Sequence, residues 1–456
     1  MTENAPTPNL PYRSRRSAAE LVSAHAERAG APYSAMVEIA DRCNEACVHC
    51  YQIQGQKGEL DTEHWERIFR ELAELGVLFL TISGGEATLR KDFLHLVEYA
   101  RRLRFAVKIF SNGLKITDEM AARLGELSVQ EVQISLYSHR ADVHDGVTRV
   151  PGSFDRVLAA ARALRRAKVK VVLKSPLMTQ NAADFAAYAQ LVTSLGADYS
   201  LDAKLNPREN GDMAPTELAI DKRAYLAVRN DARFTGLRRA RPARPLDSAP
   251  CAACANNVHV EPNGELRPCT QWGIATGDAR ATSVRSAWYD DPVANVIRRL
   301  TWNELPGCRV CDLRGYCQRC FAEAERITGD ALAPYARACQ GARWAYEVEL
   351  GVEPEIDSEQ QSWCSTTPLG PFRHAGEHRF LVEHLQPATP ELEGSSAREA
   401  IADVGRPAPG LCHPEEPARA WLPASARPGT GLIQLRRRAA GPSLTPASPP
   451  PSGREG

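Results

Sequence analysis

Between residues 35 and 204 short apolar runs alternate with amphipathic stretches. The runs at 36–40, 77–83, 106–110, 132–136, 169–174 and 199–203 have the length and side-chain character of strands. The stretches at 61–75, 92–103, 118–127, 153–167 and 182–195 carry apolar residues at helical spacing. Asp61 or Thr62, and Ser153, stand where helix N-caps belong. Six strand–helix units in succession predict a parallel α/β sheet with its helices outside, joined by right-handed crossovers. Such a sheet curls into a partial (β/α)6, TIM-like barrel, whose chemistry sits at the C-terminal ends of the strands.

The flanks read differently. Residues 1–32 are polar, dotted with proline and basic around Arg13–Arg16, which predicts a flexible lead. The barrel is expected over 33–240. From 245 to 350 cysteines become dense and long apolar runs disappear, which predicts a small domain that needs metal to hold it together. From 353 to 456 periodicity is lost, and 16 of the 32 prolines fall there, so this tail is expected to be disordered or to be translated sequence without function.

Charge adds little. The 56 basic and 56 acidic side chains cancel, so bulk charge argues for neither a nucleic-acid nor a membrane partner. No apolar stretch resembles a signal peptide or approaches the roughly 20 residues that span a bilayer, so a cytoplasmic location is the expectation. The 13 cysteines change the picture. In a reducing compartment, in odd number and at ligand-like spacing, they point to metal rather than to disulfides.

The segment Asp41-Arg42-Cys43-Asn44-Glu45-Ala46-Cys47-Val48-His49-Cys50-Tyr51 places CxxxCxxC directly after the first strand. Three thiolates can hold a cubane cluster while leaving one iron without a protein ligand. A structural zinc site needs a fourth ligand, for which His49 is the alternative. The spacing resembles the signature of the radical S-adenosylmethionine (SAM) superfamily, with His49 where an aromatic residue usually stands. The resemblance implies a [4Fe–4S] cluster on Cys43, Cys47 and Cys50, SAM chelated by the open iron, and the His49 ring near the adenine. Thr81-Ile82-Ser83-Gly84-Gly85-Glu86 ends the second strand and looks like the superfamily's GGE motif, which implies SAM amino-group binding by Gly84, Gly85 and Glu86; Ala87-Thr88 replaces the usual proline. By the same resemblance Asn112 lies near the ribose and methionine, and Ser135 near the SAM carboxylate. Arg149 pairs either with that carboxylate or with a local helix. Tyr137-Ser138 departs from the Asp-Gly of many relatives. Lys174, at the end of the fifth strand, is a further pocket residue.

The later cysteines follow as Cys251-x2-Cys254, Cys269, Cys308-x2-Cys311-x5-Cys317-x2-Cys320 and Cys339. Between the first groups, Val258-His259-Val260-Glu261-Pro262-Asn263-Gly264-Glu265-Leu266 reads as a hairpin turning at Asn-Gly. Paired zinc ribbons are the plain alternative. The order resembles the SPASM domain of radical SAM enzymes that act on peptides. That resemblance implies two auxiliary [4Fe–4S] clusters, one on Cys251, Cys254, Cys269 and Cys320 and the other on Cys308, Cys311, Cys317 and Cys339. Cys364 and Cys412 are left over, both in the tail.

The implied function is reductive cleavage of SAM to a 5′-deoxyadenosyl radical that takes hydrogen from a substrate. Maturases of ribosomal peptides, including the pyrroloquinoline-quinone type, are the best match. A peptide substrate, a separate recognition protein and a flavodoxin- or ferredoxin-like reductant are the expected partners. Sulfatase-maturing enzymes share the architecture but carry an aspartate where Thr270 stands. Tetrapyrrole or other small-molecule modification stays open, and a non-catalytic iron–sulfur carrier is the reading from another class. No catalytic side chain is assigned.

Overall fold

A computed structural model describes residue 26, residues 30–231 and residues 240–355, all within one compact unit. The readings of residues 1–25, of the tail from 356 on, and of Cys364 and Cys412 lie outside the described residues.

The element order begins β1 (Ser34–Ala40), α1 (Thr62–Glu74), β2 (Phe79–Gly84), α2 (Phe93–Arg102), β3 (Ala106–Ser111), α3 (Asp118–Glu126) and β4 (Glu131–Ser135). Two helices follow, α4 (Ala141–Thr148) and α5 (Ser153–Arg166), then β5 (Val171–Pro176), α6 (Phe185–Ser194), β6 (Asp198–Asp202), α7 (Ala214–Glu217) and α8 (Lys222–Arg229). The sheet runs β6-β5-β4-β3-β2-β1, every neighbour parallel. This is the expected partial barrel.

Alternation along the strands sorts the side chains into two layers. Ala35, Val37 and Ile39 of β1, Val107 and Ile109 of β3, Val132 and Ile134 of β4, and Leu173 of β5 join the core under the helices. Trp65, Ile68, Phe69 and Leu72 on one face of α1 are fully buried there. The opposite layer is mixed: Glu38, Lys108, Gln133, Ser135, Lys174, Ser200 and Asp202 take alternate positions together with Met36, Phe110 and Val172.

Two sequence expectations are corrected. Asp61 caps α1, accepting the His64 N–H at 2.9 Å. Ser153, however, lies inside α5; the cap comes from Asp145, whose carboxylate accepts the N–H groups of Gly152 and Phe154 at 2.6 and 2.9 Å and the Ser153 hydroxyl at 2.8 Å. The expected boundary near residue 240 is crossed by the sheet. β7 (Asn257–Val260) pairs parallel to the outer edge of β1, with Val37 opposite Val260. It turns at Asn263-Gly264, Gly264 at φ +91°, into antiparallel β8 (Glu265–Arg267), followed by β9 (Gly277–Asp278). The hairpin therefore forms as read, but as a continuation of the barrel sheet. The cysteine-rich region is also more regular than its sequence suggests. It holds α9 (Val284–Tyr289), α10 (Pro292–Arg299), α11 (Phe321–Thr328) and α12 (Ala336–Leu350), and its own core of Trp272, Trp302, Leu305 and Phe321.

Candidate active site

The loop after β1 is fixed before any ligand is considered. Asp41 accepts the Lys57 and Gly58 N–H groups at 2.7 and 3.2 Å, and the Asp41 N–H reaches Glu59 at 3.0 Å, which closes the loop at its base. Ala46 and Val48 donate their N–H groups to the Thr148 and Val147 carbonyls at the end of α4. Cys43, Cys47 and Cys50 thus sit at the C-terminal mouth of the barrel, each partly exposed. Burial pushes the Cys43 thiol up to about 12 and holds Cys47 and Cys50 above the ordinary thiol value. Taking up iron would displace those protons.

The glycines of the second strand end serve the protein's own backbone. A Cβ on Gly84 would lie 2.4 Å from the Ala40 carbonyl oxygen, and one on Gly85 2.5 Å from that of Arg42. Gly84 is also at φ +144°, where other side chains are strained. The Gly85 and Glu86 N–H groups donate to those same carbonyls at 2.7 and 2.8 Å. Close approach at this motif is therefore approach to the cluster loop, and ligand contact falls to backbone groups still free.

The Glu86 side chain is spoken for as well. It is 1% exposed and accepts from the Thr88 N–H at 3.0 Å, the Thr88 and Ser111 hydroxyls at 2.5 and 2.8 Å, and the Asn112 N–H at 2.6 Å. Burial raises its carboxyl, and those donors oppose the rise. The carboxylate ties β2 to β3. Asn112 in turn donates from Nδ2 to Asn44 at 2.7 Å, beside Cys43 at 3.8 Å, and so anchors the loop from the third strand. Arg149 is exposed at the C-cap of α4 in a left-handed conformation, one residue beyond the carbonyl that holds Ala46.

Further side chains surround the thiols. The Tyr137 ring packs edge-on to His49 at 4.8 Å, stacks on His144 at 5.3 Å, and brings its hydroxyl within 3.7 Å of Cys47 Sγ. Ser135 hydrogen-bonds that hydroxyl. The Glu45 carboxylate accepts from Cys47 Sγ at 3.1 Å. Tyr51, directly after Cys50, donates to Glu38 at 3.3 Å and meets the Thr270 side chain. Its place next to a ligand cysteine was the one signal available. A cavity of about 180 Å³ opens beside these groups, lined by His49, Tyr51, Lys174, Ser200, Asp202 and Lys204. The His49 side chain is half-buried, its pKa lowered to about 4 by desolvation, and the buried Nδ1 has no partner among the described residues. Lys174 lies over the Phe110 ring at 3.8 Å.

Below the loop, Lys57 bonds Glu209 and Glu261 at 2.7 and 2.5 Å, and Glu261 also meets His259 and Arg267. Glu38, His259 and Glu261 converge closely enough to hold an ion. Lys57 and Arg267 already balance their charge, so the group is an ion-pair network that joins the cluster loop to the β7–β8 turn.

The eight later cysteines gather in two sets. Cys251 interacts electrostatically with Cys269 and Cys320, and Cys254 with Cys251 and Cys269. Cys308, Cys311, Cys317 and Cys339 line one cavity together with Arg319. These are the groupings implied by resemblance. A single tetrahedral zinc, about 2.3 Å from each sulfur, would hold sulfurs about 3.8 Å apart. Among the described residues no three thiol sulfurs come within 4.8 Å of one another, and His49 does not join the first set. The chemistry of these donor sets, thiols alone, suits iron–sulfur clusters.

Comparison with known proteins follows the same lines. Residues 37–192 match the Radical SAM superfamily model. The mycofactocin maturase MftC of Mycobacterium tuberculosis is 37% identical over 194 residues, 41% of this chain and 49% of that protein; the match spans about half of that relative's length. The PqqA peptide cyclase of Methylocella silvestris is 26% identical over 330 residues, 66% of this chain and 86% of that protein. Among solved structures, Streptococcus suis SuiB bound to its precursor peptide SuiA superposes with a TM-score of 0.53 at 18% identity, covering 70% of this chain and 80% of that one, which is a likeness of fold. The strand order, the three-thiol loop at the barrel mouth and the family match converge on one conclusion: residues 37–192 of this chain form a radical SAM domain.

Proposed function

We propose that this protein is a radical SAM peptide maturase that abstracts hydrogen from a ribosomally made peptide. The observation that carries the reading is a loop of three thiols, joined by no fourth thiol among the described residues, beside a cavity with charged side chains in its lining at the mouth of a partial barrel. Cys43, Cys47 and Cys50 would hold a [4Fe–4S] cluster whose chemistry, with SAM on its open iron, is reductive cleavage to a 5′-deoxyadenosyl radical. Two auxiliary [4Fe–4S] clusters are proposed for the two later cysteine sets.

The chain's own residues do the positioning. Asn112 and Glu86 hold the loop against the third strand, so the thiols keep one geometry. His49 and Tyr137 form an aromatic wall suited to a flat heterocycle. Gly84, Gly85, Ser135 and Arg149 are the proposed SAM contacts, through backbone at the glycines and through side chains at the other two. The cavity shields the reacting carbon from bulk water. Lys174, Asp202 and Lys204 give it charged groups for a polar substrate rather than an apolar one. Relatives named as a maturase and a peptide cyclase support the peptide reading. Thr270, in contact with Tyr51, offers no carboxylate base, which disfavours the sulfatase-maturase reaction. A flavodoxin- or ferredoxin-type reductant and a separate peptide-recognition protein complete the proposal. Full-rate conversion of a peptide by the isolated enzyme would remove the latter.

Anaerobic reconstitution followed by SAM and a strong reductant tests the reading. About 12 irons per chain and formation of 5′-deoxyadenosine are expected. A loaded protein that never forms 5′-deoxyadenosine, even uncoupled from substrate, would sink it and favour an electron carrier.

A further inference from the structure

Arg319 occupies the two-residue spacer between Cys317, of one later cysteine set, and Cys320, of the other. It is 4% exposed. Its Nη2 donates to the Ala331 and Ala333 carbonyls at 2.6 and 2.8 Å, and one face of the guanidinium covers the Phe321 ring at 5.0 Å. Nε and Nη1 are buried with no partner among the described residues, and no carboxylate there pairs with the charge. Arginine does not shed its proton inside proteins. A buried, unpaired cation costs several kcal/mol, so this position makes physical sense only with a countercharge.

That countercharge has a place. Arg319, buried where Arg314 and Arg343 of the same lining are only half-buried, lies on the cavity formed by Cys308, Cys311, Cys317 and Cys339. Four thiolates outweigh the charge of an iron–sulfur core, so a cluster there is anionic, and hydrogen bonds to cluster sulfurs and nearby charge set its potential. The first thiol set has the opposite surroundings, with the Glu45 carboxylate 3.1 Å from Cys47 Sγ. We propose that Arg319 is the internal counter-cation of the auxiliary cluster on Cys308, Cys311, Cys317 and Cys339, donating its free N–H groups to cluster sulfur and raising that cluster's reduction potential above that of the SAM-binding cluster. The inference rests on the auxiliary clusters proposed above. A cluster held by Cys308, Cys311, Cys317 and Cys339 would supply one-electron chemistry there, and Arg319, at which no bond forms or breaks, would stay protonated.

The test is an EPR-monitored redox titration of the full-length, reconstituted chain carrying C43A/C47A/C50A, so that only auxiliary signals remain. Arg319→Gln should shift one auxiliary cluster to lower potential by at least tenfold in its reduction equilibrium, about 59 mV for one electron, with iron content unchanged. Arg319→Lys, which keeps the charge, should shift it by less than threefold. Equal potentials in the parent and R319Q would overturn the proposal. If R319Q loses iron, R319K decides: retained iron with a near-parent potential supports the counter-cation, and loss of iron in R319K as well means a packing role and overturns it. A parent protein with no auxiliary iron would instead refute the cluster reading itself, a result distinguishable from all of these by the iron count before any titration.

Discussion

The Glu86 carboxylate accepts the backbone N–H of Asn112 at 2.6 Å, and through that bond the end of the second strand fixes the residue that steadies Asn44 and the first cysteine. Replacing Glu86 by Ala leaves the Thr88, Ser111 and Asn112 donors buried without an acceptor. The expected loss is about 3 kcal/mol of stability, with SAM cleavage falling further because the thiol loop is untied. Anaerobic urea denaturation and 5′-deoxyadenosine assays read the two effects; an E86A protein as stable as the parent would show the carboxylate to be dispensable.

Glycine tolerance should separate sharply along the chain. Gly84→Ala would drive a Cβ into the Ala40 carbonyl at a backbone angle that resists side chains. Soluble, folded yield should be lost or stability should fall by about 3 kcal/mol or more. Gly146, inside α4, meets nothing within 4 Å. There Ala should stabilise by roughly 0.5–1 kcal/mol. Similar melting points for the two variants would contradict the close approach at Gly84.

The Glu38 carboxyl lies in the ion-pair network beneath the cluster loop, and burial pushes it up to about 6. Its folded value is above the roughly 4.3 of an unfolded chain. The folded protein therefore binds this proton more tightly, and stability from Glu38 is gained as pH falls from about 6 toward 4.3 and absent above pH 7. Glu45, raised to about 7 by burial, acts in the same sense, whereas Glu261, lowered to about 2, matters only below about pH 4.5. Urea midpoints should thus rise between pH 7.5 and pH 5 in the parent and rise less in Glu38→Gln. Identical pH slopes would exclude a raised Glu38.

The three cysteine sets should load independently, because the first lies at the barrel mouth and the others in the core built on Trp272, Trp302 and Phe321. The C43A/C47A/C50A variant should keep about eight irons and lose SAM cleavage entirely. Retention of about 12 irons would place a cluster on other ligands.

Much of this protein is legible without coordinates. The short apolar runs and helical patterns from 35 to 204 determine six strands and their crossovers, because strands of a covered parallel sheet are apolar and the crossovers take one handedness. Cysteine spacing determines that Cys43, Cys47 and Cys50 belong together, because ligands on one short loop cannot separate. Pairings between distant segments were hidden. That Asp145 rather than Ser153 caps α5 depends on a turn closing across Gly152. That Gly84 and Gly85 serve Ala40 and Arg42 depends on how two strand ends meet. Tyr51 and Glu38 look like ordinary strand and loop residues until the barrel closes around them, and the contacts of Tyr137 with His49 and Cys47 appear only then. The seventh parallel strand, Asn257–Val260, joins β1 across more than two hundred residues, and no local pattern could announce that partner. Spacing along the chain groups the first three thiols, and family resemblance implies the two later sets, but only tertiary packing decides which charges face them, because charge acts through space. That is why Glu45 stands at the first set and the unpaired Arg319 at the last.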